Sequence, residues 1–250
     1  MNLANLLAYI FIFLFGTVIG SFLNVCILRI PAGESIVTGP SHCPVCGKEL
    51  KWYEMFPIFS YLALRGRCAG CKVHISAQYP LIEAANGVLY VLVFQRFGLS
   101  PEALIGAFIA SALLTLSVID ERTQEIPEGI NIFILVLALA ASVIDYNNWL
   151  THLIGAFAVS IPTALIFIFT KGRGIGGGDV KLMAVCGLLL GWKLIIFAFF
   201  VGCILGAGIH ILRMKFSNKG HVLALGPYLS LGVFFAMLWG ESLISWYLTL

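Results

Sequence analysis

A glycine-rich segment carrying one acid interrupts the apolar sequence in its second half. The segment reads GRGIGGGDVKLM (172–183), and Asp179 stands between three consecutive glycines and an apolar run. A second acid, Asp120, ends another apolar run in the sequence LLTLSVIDERTQEIPEG. Ionisable groups at membrane depth are costly and indicate function by default. These two aspartates are therefore the first candidates for chemistry.

Two carboxyl groups held close together cannot both ionise easily, so they share a proton. The ionised group can deprotonate a water molecule, and the protonated group can donate to a peptide carbonyl oxygen. This is the chemistry of aspartic proteases, and it needs neither a metal nor a covalent intermediate. The glycines before Asp179 would let the backbone approach a substrate strand closely. A phosphate-binding loop is disfavoured, because the Walker Lys-Ser/Thr pair is absent and Asp179 would repel phosphate.

Each aspartate also has a simpler interpretation. Asp120 could be a solvated interfacial acid beside Arg122. Asp179 could cap a helix, because Asp is favoured at helix N-termini and interacts well with the dipole there. The catalytic interpretation depends on the pair, since both residues lie where an apolar run meets a loop on the same predicted side of the membrane.

Four of the seven cysteines form two C-x2-C pairs, namely Cys43, Cys46, Cys68 and Cys71. Each pair can direct two thiolates at one ion, and two pairs complete a tetrahedral four-sulfur site that suits zinc. Four cysteines close the coordination shell, so we predict a structural zinc. Gly47 and Gly70 can relieve the two turns. His42 and His74 flank the pairs and could substitute as ligands, although solvated loop histidines are the simpler interpretation.

The segment around these cysteines is too small to fold on an apolar core alone. Segments of this size usually need a metal or disulfides. We predict a small core around the zinc, formed by Trp52, Tyr53, Phe56, Phe59 and Tyr61. The three remaining cysteines lie in apolar runs and are interpreted as buried hydrophobic residues: Cys26, Cys186 and Cys203.

The composition is that of a membrane protein. Of 250 residues, 60% are hydrophobic and only 11% are charged, and the mean hydropathy is +0.99. Apolar runs occur at 5–28, 80–97, 101–119, 129–145, 151–170, 180–191, 194–212 and 226–249. The sequence thus predicts an all-α polytopic membrane protein of about eight transmembrane helices, with a small cytoplasmic zinc-binding insert between the first two.

The positions of the basic residues predict the orientation. All of the 15 Lys and Arg residues except Arg96 and Lys193 fall on one side of the predicted spans, which the positive-inside rule identifies as the cytoplasm. The insert and both aspartates then face the cytoplasm, where disulfides are disfavoured. Three domains are predicted: a retained first transmembrane helix (1–28), a zinc-binding insert with four cysteine ligands (29–79) and a transmembrane aspartyl peptidase core (80–250).

Several segments resemble one known family. GGGD at 176–179 is similar to the G-x-G-D motif of intramembrane aspartyl proteases. Longer segments resemble the bacterial type IV prepilin peptidases and follow one another in that family's order: GSFLNVCILRIP (20–31), CPVCGKELKWYEMFPIFSYLALRGRCAGC (43–71), ISAQYPLIE (75–83), Asp120 with IP (126–127), GGGDVKLMAVCGLLLGW (176–192) and LGPYLSLG (225–232). The resemblance covers nearly the whole chain.

The resemblance implies a bifunctional enzyme of the cytoplasmic (inner) membrane. Such enzymes remove the basic leader from type IV prepilins or pseudopilins at the cytoplasmic face, and then methylate the new N-terminal residue with S-adenosylmethionine. It assigns catalysis to Asp120 and Asp179, and zinc to the four paired cysteines. Glu83 and Gly87 are candidates for the S-adenosylmethionine site by resemblance alone, and an interfacial acid near Lys72 is the other interpretation of Glu83. The expected partners are the prepilin or pseudopilin N-terminal segment and the lipid bilayer, and no nucleic acid is expected.

Two other functions compete with this interpretation. One is a non-enzymatic membrane protein whose zinc insert docks a partner. The other is a zinc-stabilised membrane methyltransferase without peptidase activity. The paired aspartates favour the peptidase. We also hypothesise that Glu121, Glu125 and Glu128 attract the lysines of the leader.

Overall fold

A computed structural model of the protein describes residues 2–216 and 223–249. Its regular secondary structure is helical apart from two isolated β-bridges, and most of the segment between residues 30 and 77 consists of turns and loops. The α-helices are α1 (Leu3–Arg29), α2 (Phe59–Ala63), α3 (Gln78–Phe97), α4 (Pro101–Thr123), α5 (Glu128–Ile144), α6 (Trp149–Ala158), α7 (Ser160–Thr170), α8 (Gly177–Leu190), α9 (Trp192–Phe216), α10 (Gly226–Phe235) and α11 (Glu241–Leu248). The chain divides into two compact units, residues 1–103 and 104–250. Lys219, one of the basic residues predicted to lie inside, is outside the described residues.

Five helical stretches in the described part of the chain are long and apolar enough to cross a membrane. They are Leu3–Arg29, Pro101–Thr123, Tyr146–Thr170, Trp192–Met214 and Gly226–Leu248. The prediction of an all-α, multi-pass membrane protein is therefore confirmed, but the count of eight spans is not. The other three predicted runs form α3, α5 and α8. With 14 residues, α8 is about 21 Å long, which is shorter than the hydrocarbon core of a bilayer.

In the first unit, α1 and α3 pack through small residues that bring their backbones into contact. A Cβ atom added to Gly20 would lie 2.7 Å from the Cα of Glu83, and one added to Gly16 would lie 2.8 Å from the Cα of Gly87. The buried Asn86 side chain donates from Nδ2 to the carbonyl oxygen of Gly16 at 2.7 Å. Small residues and buried amides of this kind are typical of helix pairs in membranes.

The cysteine-containing insert lies between α1 and α3 and lacks the predicted aromatic core. Trp52, Tyr53, Phe56 and Phe59 are 78%, 52%, 53% and 57% exposed, and only Tyr61 is half-buried. The prediction is wrong because the insert is organised by turns, hydrogen bonds and a cluster of four thiols, which take the place of an apolar core in so short a segment.

In the second unit, α8 is the central helix. It contacts α5, α6, α7 and α9, while α10 packs against α9. Its residues Leu182, Met183 and Cys186 are fully buried, as predicted for Cys186. The backbones of α6 and α8 touch, since a Cβ on Gly187 would overlap the carbonyl oxygen of Gly155. A helix too short to span the bilayer is accommodated here because protein surrounds it.

Candidate functional site

Asp120 and Asp179 line the same cleft, which has a volume of about 290 Å³. The side chains are nearly buried, with Asp120 5% and Asp179 8% exposed. The two carboxyl groups are close enough to interact electrostatically. The remaining walls come from the connection between α4 and α5 and from the first turns of α5 and α8. Tertiary packing thus brings together two acids that are distant in the sequence.

Asp120 lies in the last turn of α4 and is held by the start of α10. Its Oδ2 accepts a hydrogen bond from the backbone N–H of Gly226 at 2.9 Å. A Cβ on Gly226 would lie 2.6 Å from the same oxygen, so only glycine fits without displacing the carboxylate. A helix N-terminus stabilises negative charge. Because Asp120 is buried and hydrogen-bonded, its interpretation as a solvated interfacial acid is wrong.

Asp179 is the third residue of α8. Its Oδ2 accepts a hydrogen bond from the backbone N–H of Gly176 at 3.2 Å, so it does cap the helix, though from inside the first turn. The other oxygen, Oδ1, is buried and has no hydrogen-bond partner among the described residues. Buried polar atoms without partners are rare and costly. Capping therefore accounts for only one of the two carboxyl oxygens.

The three glycines before Asp179 form a wall of the cleft with their backbone. Gly178 packs directly on Ile126 of the opposite wall, and a Cβ added to it would lie 2.8 Å from the Ile126 Cβ. Gly177 has more room, since its nearest such neighbour is a ring atom of Phe167 at 3.6 Å. The glycine backbone is predicted to approach a substrate strand closely. In this structure, the close neighbour of Gly178 is Ile126 of the opposite cleft wall.

Two of the three acids predicted to attract leader lysines already have basic partners. Glu121 accepts a hydrogen bond from Arg213 at 2.6 Å, and Glu128 forms an ion pair with Lys181. All four of these side chains are largely exposed. Glu125 lines the cleft and has no ion-pair partner in the described part of the chain. It is the member of the trio that is available to a substrate.

The four paired cysteines converge on one point. Their Sγ atoms all lie within 4.8 Å of one another, and those of Cys43 and Cys71 are 3.8 Å apart. Tetrahedral zinc with bonds of about 2.3 Å places its sulfur ligands about 3.8 Å apart. The donor set and its spacing fit zinc. His42 and His74 are outside this cluster and contact backbone carbonyl groups instead.

The two pairs form matching turns. The N–H of Gly47 donates to the carbonyl of Cys43 at 2.9 Å, and that of Lys72 donates to the carbonyl of Cys68 at 3.0 Å. Gly47 and Lys72 both have positive φ, +68° and +62°. The prediction that Gly70 relieves the second turn is therefore wrong, because Lys72 takes that conformation. Gly70 instead provides room for the Lys48 side chain, whose Cδ would lie 3.1 Å from an added Cβ, while the Cys46 and Cys68 Sγ atoms would be at ordinary contact distances of 3.6 and 3.8 Å.

The same turns lower the pKa of the first thiol of each pair. The backbone N–H groups of Cys46 and Val45 lower the pKa of the Cys43 thiol to about 6. In the second turn, the N–H of Cys71 has the largest part in lowering the pKa of Cys68 from its ordinary value. The thiolate is the form that binds metal. The first cysteine of each pair is thus favoured as a ligand before any ion arrives.

Glu83 and Gly87 both lie in the contact between α3 and the rest of the first unit. Glu83 is 6% exposed, and its Oε2 accepts a hydrogen bond from the N–H of Ile58 at 2.7 Å. Gly87 is covered by Phe13, whose ring would lie 2.8 Å from an added Cβ. These contacts do not fit a cofactor site in this structure. The assignment of both residues to S-adenosylmethionine stays a prediction.

The sequence did not predict that Gly226 and Lys181 contact acids of the cleft. Gly226 precedes a proline at the start of an apolar run, which is a recognisable helix start. That signal gives no indication that its N–H reaches Asp120. Lys181 follows Asp179 by two positions, and nothing in the sequence pairs it with Glu128.

Comparison with known proteins agrees with this architecture. The sequence profile of the Bacterial Peptidase A24 N-terminal domain matches residues 14–97, and that of the Type IV leader peptidase family matches residues 107–211. No solved structure matches the chain.

Several curated relatives match over nearly their whole length. The chain is 36% identical to the prepilin leader peptidase/N-methyltransferase of Bacillus subtilis, over 95% of this chain and 96% of the relative. It is 31% identical to the proteins of the same name from Pseudomonas putida (92% and 90%) and Pseudomonas aeruginosa (94% and 91%). On the identity and coverage of these relatives, the resemblance noted in the sequence is confirmed, and the chain belongs to the type IV leader peptidase family.

Proposed function

We propose that the protein is a membrane aspartic endopeptidase that removes the leader from type IV prepilins or pseudopilins, with Asp120 and Asp179 as its catalytic residues. The main support is that these two carboxyl groups, on separate helices, line one cleft. The names of the relatives support the substrate class. The basic residues of the predicted loops support a site at the cytoplasmic face.

The hydrogen bonds of the two aspartates support different roles. Asp120 accepts a hydrogen bond from the backbone N–H of Gly226 at the start of α10. A hydrogen bond from a helix N-terminus stabilises a carboxylate. Asp179 has a longer bond to Gly176 and a buried Oδ1 without a partner among the described residues. An ionised oxygen without a partner is costly when buried. We therefore assign the negative charge to Asp120 and the shared proton to Asp179.

In this mechanism, Asp120 takes a proton from water as the water oxygen bonds to the scissile carbonyl carbon. Asp179 donates its proton to the carbonyl oxygen, which gives a neutral tetrahedral diol. As the diol collapses, Asp120 passes its proton to the departing nitrogen and Asp179 recovers a proton from a diol hydroxyl. The C–N bond breaks, and the leader leaves with a new carboxyl group. The next cycle begins with the same single proton on the pair.

We propose methylation of the new N-terminus by S-adenosylmethionine from the relatives' names alone. S-adenosylmethionine would supply the electrophilic methyl group, but the contacts of Glu83 and Gly87 support no step through them. The four paired cysteines would hold a structural zinc in the insert, with no place in the peptide-bond chemistry. The substrate's apolar helix would lie in the bilayer, with its basic leader in the cytoplasm.

The test is to incubate the purified protein in liposomes with a prepilin, with and without S-adenosylmethionine, and to weigh the products. We expect loss of the leader in both samples, and one added methyl group only where S-adenosylmethionine is present. An unchanged prepilin mass would support the non-enzymatic alternative. A pre-cut pilin that gains a methyl group, beside a prepilin that keeps its leader, would support a methyltransferase without peptidase activity.

A further inference from the structure

The insert presents an exposed apolar surface that neither zinc binding nor the proposed reaction uses. We call it the aromatic face. Its members are large apolar side chains between 41% and 78% exposed: Trp52, Met55, Phe56, Phe59 and Leu62. Contiguous exposed apolar surface of this kind marks a site that binds a protein or a membrane.

The aromatic face has a defined local structure. A short 3₁₀ turn (Trp52–Glu54) leads into α2, and the Ser60 hydroxyl bonds to the carbonyl oxygen of Tyr53 at 2.8 Å, which ties the two together. The rings of Phe56 and Phe59 are 5.8 Å apart. The aromatic side chains are therefore held on one short folded segment.

One hydrogen bond fixes the depth of this segment relative to α3. The N–H of Ile58 donates to Oε2 of the buried Glu83 at 2.7 Å. Ile58 has φ +61°, a conformation that a β-branched residue adopts only when its surroundings impose it. Glu83 lies in the second turn of α3, inside the apolar run that begins at residue 80. The backbone between Phe56 and Phe59 is thus held at the level where α3 enters its apolar run.

The surroundings of the aromatic face match a membrane surface. Leu81 of α3 is 65% exposed and Phe22 of α1 is 46% exposed. Gly20 contacts Glu83 and Asn24 contacts Tyr79, so these two apolar side chains lie at the same level on the two helices. Lys51 and Arg65, at either end of the aromatic face in the sequence, are exposed. Amphipathic aromatic side chains with nearby basic residues are typical of segments that lie in the interface of anionic bilayers.

We propose that the aromatic face inserts into the lipid interface next to α1 and α3, and so anchors the zinc insert to the bilayer. The occupant is lipid, because the aromatic face is held level with the start of the apolar run of α3, next to exposed apolar side chains of α3 and of α1, which is long and apolar enough to cross a membrane. The inference does not depend on the proposed peptidase activity. It also accounts for large aromatic side chains that are exposed although Cys43 and Cys68 of the same insert are buried.

Trp52 provides a direct test with the full-length chain in liposomes. Its fluorescence is obtained as the difference between the wild type and Trp52→Phe, which removes one of five tryptophans. The liposomes contain phospholipids brominated either near the headgroup or near the bilayer centre. We expect Trp52 emission to be blue-shifted from that of tryptophan in water, and to be quenched more strongly by bromine near the headgroup. Emission typical of water, with no quenching by either lipid, would overturn the proposal.

A variant and its control sharpen the test. Phe56→Ser/Phe59→Ser should lose most of the quenching of Trp52 while still binding zinc. Val37→Ser, at an 87% exposed position of the same insert outside the aromatic face, should keep it. If Phe56→Ser/Phe59→Ser kept the full lipid quenching of Trp52, the aromatic face would not be what holds the insert at the bilayer and the lipid proposal would be wrong.

Discussion

The cysteine-containing insert and the aspartate cleft both assemble polar groups, but they do so in different ways. In the insert, each pair of cysteines shares one tight turn, and two similar turns supply all four sulfurs. In the cleft, α4 and α8 each contribute one carboxyl group, and α10 contributes one N–H. The geometry of the insert is therefore mainly local, whereas that of the cleft depends on how distant helices pack.

Glycine also has a different part in the two regions. Gly47 provides a backbone conformation that its turn requires, and Lys72 adopts the same conformation in the second turn. Gly226 and Gly178 have ordinary backbone angles and provide space beside Asp120 and Ile126. We expect substitutions in the insert to act through the metal, and those in the cleft to act through displaced side chains.

The largest effect on folding should come from removing a zinc ligand. In Cys43→Ser, we expect the insert to lose zinc and to unfold, since structural zinc contributes about 10–16 kcal/mol in zinc-finger peptides. Zinc content per chain and limited proteolysis of the insert measure this. Cys203→Ser, at a half-buried position of α9, is the control and should keep its zinc.

The same variant tests whether the two regions are independent. The proposed chemistry of the cleft uses no metal, so Cys43→Ser should still remove the leader from a prepilin. A loss of cleavage as complete as that expected for an aspartate variant would show that cleavage depends on the folded insert.

Gly226→Ala should have the next largest effect. The added Cβ would lie 2.6 Å from the Asp120 Oδ2, so the carboxylate must move. A displacement of about 1 Å can reduce catalysis about 100-fold. We expect kcat to fall with KM nearly unchanged, because the reacting group moves and the substrate contacts do not. Gly208→Ala, where an added Cβ meets no atom within 4 Å, should keep the wild-type kcat.

Gly178→Ala should have a moderate effect on stability. The new Cβ would lie 2.8 Å from that of Ile126, and overpacking of this kind costs about 1–3 kcal/mol. Gly177→Ala, with 3.6 Å of clearance, should be less destabilised. Thermal unfolding of both variants in detergent measures the difference. Equal unfolding temperatures would mean that the cleft wall is looser than the structure indicates.

The smallest effect should come from the acids around the cleft. Glu121 and Glu128 are paired with Arg213 and Lys181, so Glu125→Gln should raise KM for a basic leader more than Glu121→Gln does. Exposed charges of this kind contribute less than about 1 kcal/mol, and salt should reduce the difference further. KM values at low and high salt test this. A triple Gln variant with unchanged KM at low salt would exclude any role in leader binding.

The sequence predicts these regions to different extents. The spacing of the cysteines predicts the four-sulfur cluster, and the apolar runs predict the helices, since both signals are local. The count of eight spans is not confirmed, because α3, α5 and α8 are not among the five stretches that are long and apolar enough to cross a membrane. The contact between Gly226 and Asp120 could not be predicted, because no local pattern reports which helix ends meet. The prediction of an aromatic core in the insert is wrong, because Trp, Tyr and Phe are typical both of a buried core and of a membrane interface.

The most direct test of the central claim is the rate of leader removal by Asp120→Asn and Asp179→Asn in liposomes. Asp145→Asn, the same change at an acid outside the cleft, serves as the control. We predict that each of the first two variants inserts normally, binds zinc and loses essentially all cleavage, while Asp145→Asn cleaves at a rate close to that of the wild type. If either Asp120→Asn or Asp179→Asn still removed the leader at the wild-type rate, the two carboxyl groups would not form the catalytic pair.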